Sequence, residues 1–121
     1  MTDDLTEKII GAAIEVHRIL GPGLLESVYE EALCIELELR GLRVGRQVEL
    51  DICYKGHIIK GLRIDLLVEQ QVIVDLKSVS KLPDVATAQV LSYLKATGLK
   101  RALLINFGLP RLIDGIKRLS L

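Results

Sequence analysis

The sequence predicts an α/β fold, a mixed β-sheet with helices packed on it, and three observations carry that expectation. The first forty residues hold apolar positions at helical spacing in two blocks, separated by Gly21-Pro22-Gly23. The hydrophobic period then changes from 3.6 to 2 in the stretch "LRVGRQVELDI". Finally, the apolar run "VIVDLKSV" is followed by a helical pattern and then by "RALLINF". Strand, helix and strand in that order imply a crossover and parallel pairing.

In residues 3–20, Leu5, Ile9, Ala12, Ala13, Val16, Ile19 and Leu20 fall on one helical face, and Asp3 and Asp4 favour the positive end of the helix dipole. A second helix is expected from Leu24 to Arg40, closed by Gly41. Its exposed side should carry Ser27, Glu30, Glu31 and Glu38, with Glu26 on the border of the apolar face, in line with Leu33 and Leu37. In the next run Leu42, Val44, Val48, Leu50 and Ile52 alternate with polar residues, the pattern of a half-buried strand. Lys55-Gly56 is the expected turn into a second strand ending "GLRIDLLVE". The third, "VIVDLKSV", is apolar nearly throughout and reads as a central strand buried on both faces. Pro83 and Asp84 open a third helix reaching Thr97, which Gly98 closes. The tail "LPRLIDGIKRLSL" fits either a turn of helix or a short edge strand.

A chain of 121 residues reads as a single domain, 1–121, with one sizeable core. Aromatics are only 3% of the chain, so the core must come from Leu, Ile, Val and Ala. No apolar run approaches the roughly 20 residues of a membrane span. The start "MTDDLTEK" is acidic and lacks the basic-then-apolar order of a signal peptide. Cys34 and Cys53 stand apart, without CxxC spacing, which argues against a zinc site and suits a reducing cytoplasm. Sixteen basic residues balance sixteen acidic ones, so any contact with nucleic acid must rely on local patches rather than on a general basic excess.

The unusual feature is the placement of Asp65, Asp75 and Lys77 inside apolar strand runs, where an unpaired charge is costly. Asp75 and Lys77 are two apart on a strand and share a face. If Glu69-Gln70-Gln71 is the connection, Val68 pairs with Val72 and Asp65 lies opposite Asp75, with Cβ atoms about 5 Å apart. A slip of one residue would turn Asp65 to the other face. Two carboxylates that close require a proton or a cation between them. Two readings fit: a hard divalent ion such as Mg²⁺, or a salt bridge of Lys77 with one Asp while the other reaches solvent.

The spacing D-(x)9-D-L-K, with a carboxylate on an upstream helix, resembles the PD-(D/E)XK nuclease superfamily. "GPGLLESVYEEAL" more specifically resembles the signature of the small GxxExxY family, matched by Gly23, Glu26 and Tyr29. The similarity continues through "AAIEVHRIL", "QVELDICYKG", "RIDLLVE", "VIVDLKSV", "AQVLSYLKATGLKRALLINFG" and "PRLIDGIKR". It implies a three-layer α/β/α sandwich of the restriction-endonuclease type and a Mg²⁺- or Mn²⁺-dependent nuclease acting on DNA or RNA. It also implies metal-binding roles for Asp65, Asp75 and Glu26, and for Lys77 a role in orienting the attacking water and offsetting developing charge. Asp75 stands where most relatives carry Glu, one methylene longer, and the proline of the superfamily's name is replaced by Arg63-Ile64 ahead of Asp65. Gln89 resembles the polar residue that follows the core motif, with Tyr93 one turn on. His17 recurs in the signature as part of "EVHR" and so stands at the site's edge or simply near a helix C-terminus. Tyr29 reads as a core or supporting residue, and His57 as a surface one.

Independently of the resemblance, acids and an ammonium are what phosphodiester hydrolysis needs: charge neutralisation, an oriented water and a stabilised leaving oxygen. Two functions from different classes remain at this point. One is the metal-dependent nuclease; the other is a catalytically idle domain of the same fold that binds protein or nucleic acid. The small surface available to grip a duplex leaves room for a homodimer or a protein partner.

Overall fold

The computed structural model describes residues 3–121; Met1 and Thr2, the start of the acidic N-terminal stretch, lie outside the described residues. Helix α1 runs Asp4–Leu20 and is opened by Asp3, whose Oδ1 accepts from the backbone N–H of Leu5 and Thr6. Helix α2 runs Glu26–Leu39, two residues later than its apolar pattern predicts. Leu25 stays extended at φ −68, ψ 149, and the Leu24 N–H donates 3.1 Å to the Tyr29 hydroxyl, so neither joins the helix. Gly41, at φ +83, follows the Arg40 cap, and Leu42 N–H returns to Leu37 O.

The strands are β1 (Val44–Tyr54), β2 (His57–Val68), β3 (Val72–Lys77), β4 (Arg101–Asn106) and β5 (Ile116–Ser120), in spatial order β1-β2-β3-β4-β5. Only β3 and β4 are parallel, joined by helix α3 (Val85–Thr97), as the strand–helix–strand order requires. Gly98, at φ +74, caps α3 and donates to Leu94 O. The tail satisfies both of its readings: a 3₁₀ turn, Leu112–Gly115, precedes β5, which pairs antiparallel with β4.

The sheet separates two apolar cores, making three layers. On one face α1 and α2 bury Ile9, Ala13, Leu33 and Leu37 with Leu66, Val74, Leu103 and Phe107. On the other, α3 buries Val90 and Leu94 with Ile64, Ile73 and Leu104. Residues 72–76 of β3 are buried without a break because both faces are covered.

The expected simple alternation of β1 does not hold. Leu42 and Val44 pack on the α1/α2 core, whereas Val48 and Leu50 pack on the α3 core. The reversal occurs at Gln47, which has φ +49 in mid-strand. Its counterpart in β2 lies at Asp65, where Leu66 packs on one core and Ile64 on the other. A positive-φ residue breaks the period-2 geometry that a straight pleat imposes.

The β2–β3 register is the one the sequence predicts: Val68↔Val72, Leu67↔Ile73 and Leu66↔Val74, connected by Glu69-Gln70-Gln71. The turn closes without glycine. Glu69 and Gln70 both take positive φ, +52 and +57, and Gln71 N–H donates to Val68 O. That conformation costs a non-glycine residue about 1–2 kcal/mol. It is held by Arg43, whose N–H donates to Glu69 Oε2 at 2.6 Å while Arg43 O accepts from Glu69 N–H. The backbone N–H of Arg43 is also the first cause of a Glu69 carboxyl held below its ordinary range. Gln70 is exposed and makes no such bond, so Gln70→Gly should raise stability by about 1 kcal/mol, measured by urea unfolding. Unchanged or lower stability would show that Gln70 is not strained there.

Candidate active site

The β2–β3 ladder stops at Leu66↔Val74, one step short of Asp65 and Asp75. At that step Asp65 Oδ2 accepts from the backbone N–H of Leu76 at 2.8 Å. A side-chain carboxylate thus takes the place of a ladder carbonyl, and the two strands part with both acids in the fork. Asp75 is only 4% exposed, and its Oδ2 has no hydrogen-bond partner among the described residues. Lys77 Nζ stands 3.6 Å from that oxygen, close enough for charge attraction but beyond ordinary hydrogen-bond length.

Charge coupling defines the rest of the site. Burial first, then the Asp65 charge, pushes the Asp75 carboxyl up to about 7 against the opposing pull of Lys77. Glu26 is exposed as a residue, yet burial of its carboxyl end is the leading cause that raises it, followed by Asp65, again against Lys77. The Tyr93 phenol, on α3, is raised by burial and then by Asp75. Glu26, Asp65, Asp75, Lys77 and Tyr93 therefore share one local field, assembled from α2, β2, β3 and α3.

Tyr29 is fully buried and stacked on Phe107, with ring centroids 4.5 Å apart. Its hydroxyl donates to Gly21 O and accepts from Leu24 N–H, which ties both ends of the Gly21–Leu24 turn to α2. Ser78, one residue beyond Lys77, donates 2.7 Å to Leu24 O. These bonds set where Glu26, the first residue of α2, stands relative to β3. Gln89 is exposed on α3, one turn before Tyr93. His17 Nε2 pairs with Leu109 O at 2.9 Å, so the ring braces α1 against the loop after β4, and none of its hydrogen bonds reaches the carboxylates. His57 is exposed.

Two residues that sequence reasoning did not place here also border the site. Glu30, expected on the exposed side of α2, is 7% exposed and accepts from Arg46 Nη2 at 3.1 Å and Gln47 Nε2 at 2.7 Å. It is buried because its helix face turns to β1, where those donors satisfy it. Gln47 Nε2 also comes within 3.5 Å of Asp65 Oδ1. The available signal was Gly61 inside a strand pattern, which marks a bulge. That bulge shifts the hairpin register between Leu50 and Ile52, and the shift sets Gln47 across from Asp65.

A three-layer sandwich with two acids and a lysine at a strand fork defines a nuclease-like α/β domain. The chain matches the PD-(D/E)XK nuclease superfamily over residues 3–119 and belongs to it. The crystal structure of SSO0001 shares the fold at 20% identity, with a TM-score of 0.53, covering 78% of this chain and 48% of that one. The chain thus spans about half the length of that protein, and the likeness is one of fold. No curated protein matches the chain. Among the described residues no helix is long and apolar enough to cross a membrane.

Members of this superfamily generally use divalent metals. Among the described residues no three His, Cys, Asp or Glu side chains stand at metal-ligand spacing. The carboxylates repel one another, and Asp65 is drawn to the Leu76 N–H. The donor set nonetheless fits a hard cation. It is all carboxylate, and the buried Asp75 Oδ2 is an acceptor that no group among the described residues satisfies.

Asp75 carries a pH signature in metal-free protein. Its carboxyl lies above the ordinary 3.8 when folded, so its stabilising contribution is complete below about pH 4 and lost as pH rises toward about 7. Wild type in EDTA should lose stability over that window, on the order of a few kcal/mol. Asp75→Asn should flatten the loss. Parallel melting-midpoint profiles for the two proteins from pH 4 to 8 would remove Asp75 as the cause.

Proposed function

We propose that this chain is a GxxExxY-type, Mg²⁺- or Mn²⁺-dependent nuclease that hydrolyses phosphodiester bonds of DNA or RNA. The observation that supports this reading most is the buried, unpartnered Asp75 Oδ2 one strand across from Asp65 and 3.6 Å from the Lys77 ammonium. An orphaned buried acceptor costs about 1–3 kcal/mol, and a scaffold built only for stability has no use for it. Asp65, Asp75 and Glu26 are the residues that would hold the cation, which when bound supplies charge neutralisation at phosphorus and a more acidic water. Lys77, partly exposed beside Asp75, donates to the attacking water or a phosphate oxygen and offsets charge as it develops. Glu26 reaches the site from the start of α2, so any strain on the Gly21–Leu24 turn is felt there. Tyr93 borders the carboxylates from α3, and Gln89 lies exposed one turn away, available to substrate. The free thiols of Cys34 and Cys53 suit a reducing compartment such as the cytoplasm.

One observation favours the alternative of a catalytically idle binding module: the formal net charge is zero, which gives little general attraction to a polyanion. Lys77 separates the two. In the nuclease its ammonium acts mainly in the transition state, so Lys77→Ala should abolish cleavage while leaving metal binding largely intact. Lys77→Arg should fail as well, because a planar fork does not replace a compact ammonium. Mg²⁺ and Mn²⁺ should raise the melting midpoint of wild type and much less that of Asp75→Asn. The assay is Mg²⁺-dependent cleavage of single- and double-stranded DNA and RNA by identically purified proteins. Wild type inactive on every substrate, with Lys77→Ala merely less stable, would favour the binding module.

A further inference from the structure

We propose that Gln47 is a positioning residue for Asp65, clamping from β1 the carboxylate that would bind the metal; the inference rests on the nuclease reading. In the β1–β2 ladder Arg46 pairs with Leu66 and Val48 with Ile64, so Gln47 and Asp65 face each other across the strands. One step further across the sheet stands Asp75, which makes a row of Gln47, Asp65 and Asp75. The two N–H groups of the Gln47 amide have two different acceptors: Glu30 Oε1 at 2.7 Å and Asp65 Oδ1 at 3.5 Å. Leu76 N–H holds the other Asp65 oxygen at 2.8 Å. Each oxygen of Asp65 therefore faces a donor from a different neighbouring strand: Oδ2 in an ordinary hydrogen bond, Oδ1 in a longer contact that orients the carboxylate by charge and dipole.

The backbone gives independent support. Gln47 holds φ +49 between two regularly paired residues, a conformation costly to any side chain with a Cβ and one that clusters at functional sites. A regular β conformation would send the amide elsewhere and keep β1 in simple alternation. The anchor of the clamp is Glu30, buried and also bound by Arg46, one turn beyond Glu26 on α2. Gln47 thus connects the helix that carries Glu26 to the strand that carries Asp65. Donors that orient ligating carboxylates characteristically affect metal affinity about 10–100-fold.

The test compares Gln47→Met, which keeps length but removes the amide, with Gln47→Gly, which removes the amide and also relieves the positive φ. Mn²⁺ affinity is read by electron paramagnetic resonance on the full chain, and melting midpoints are taken in EDTA. Both variants should bind Mn²⁺ about 10-fold more weakly or worse. Gln47→Gly should melt close to wild type, because relief of strain offsets the lost hydrogen bond to Glu30. Variants that bind Mn²⁺ as tightly as a binding wild type would overturn this role while leaving the nuclease reading intact. A loss of affinity that merely tracks a fall in melting midpoint in both variants would also overturn it, since Gln47 would then act through the fold alone. A wild type that binds no Mn²⁺ would remove both the metal site and its positioning residue.

Discussion

The structure depends on one unfavourable contact: Asp65 and Asp75 face each other where β2 and β3 separate, with Asp75 buried and one of its oxygens unsatisfied. Like charges in low dielectric push apart, so the pair persists only because other interactions over-determine its position. Asp65 is held by the Leu76 N–H, in the place of a ladder carbonyl. Asp75 cannot turn away, because Ile73 and Leu104 on the same face pack into the α3 core. The fork is therefore a product of packing on both faces of β3. That in turn requires helices above and below the sheet, the reason a three-layer architecture rather than a two-layer one carries this site.

The same requirement explains the polar ties around α2. A helix packed only by Leu33 and Leu37 would be fixed laterally but free to slide along its axis. Tyr29, bonded to both ends of the Gly21–Leu24 turn and stacked on Phe107, fixes the axial position. Ser78 joins that turn to the residue after Lys77, and Asn106 joins Val79 to Gly108, so the segments leaving β3 and β4 are bound to one another. Gly108 has to be glycine there, since a Cβ would sit 2.2 Å from the Val79 carbonyl oxygen. Precision at Glu26 and Lys77 is thus obtained from hydrogen bonds to loop backbone, while apolar burial supplies most of the stability.

Fold and acidic core were legible where a single local rule decides the outcome. Helices α1 and α3, the parallel β3–β4 pair and the β2–β3 register follow from periodicity, Gly98, element order and a three-residue connection. That register brings Asp65 and Asp75 to the same end of the ladder. What escaped were features set by two elements at once. The start of α2 is delayed by a hydroxyl five residues on, which helical propensity does not see. Glu30 reads as a solvated glutamate until β1 brings Arg46 and Gln47 beneath it.

Gln47 shows most plainly why such residues are invisible in a single sequence. Counting back from the Tyr54↔His57 end of the hairpin, an unbroken ladder would set Gln47 across from Ile64. The one-residue shift near Gly61, itself at φ +117, moves it across from Asp65. A second irregularity, the positive φ of Gln47, then turns its amide toward Glu30 and Asp65. Each irregularity alone would misdirect the side chain, and only the two together complete the row with Asp75. Each also costs conformational energy, which a strand built purely for stability would shed by a regular pleat. The irregular path of β1 and the unsatisfied acid on β3 are thus two parts of one device, in which backbone strain on the outer strand holds charge in register on the inner ones.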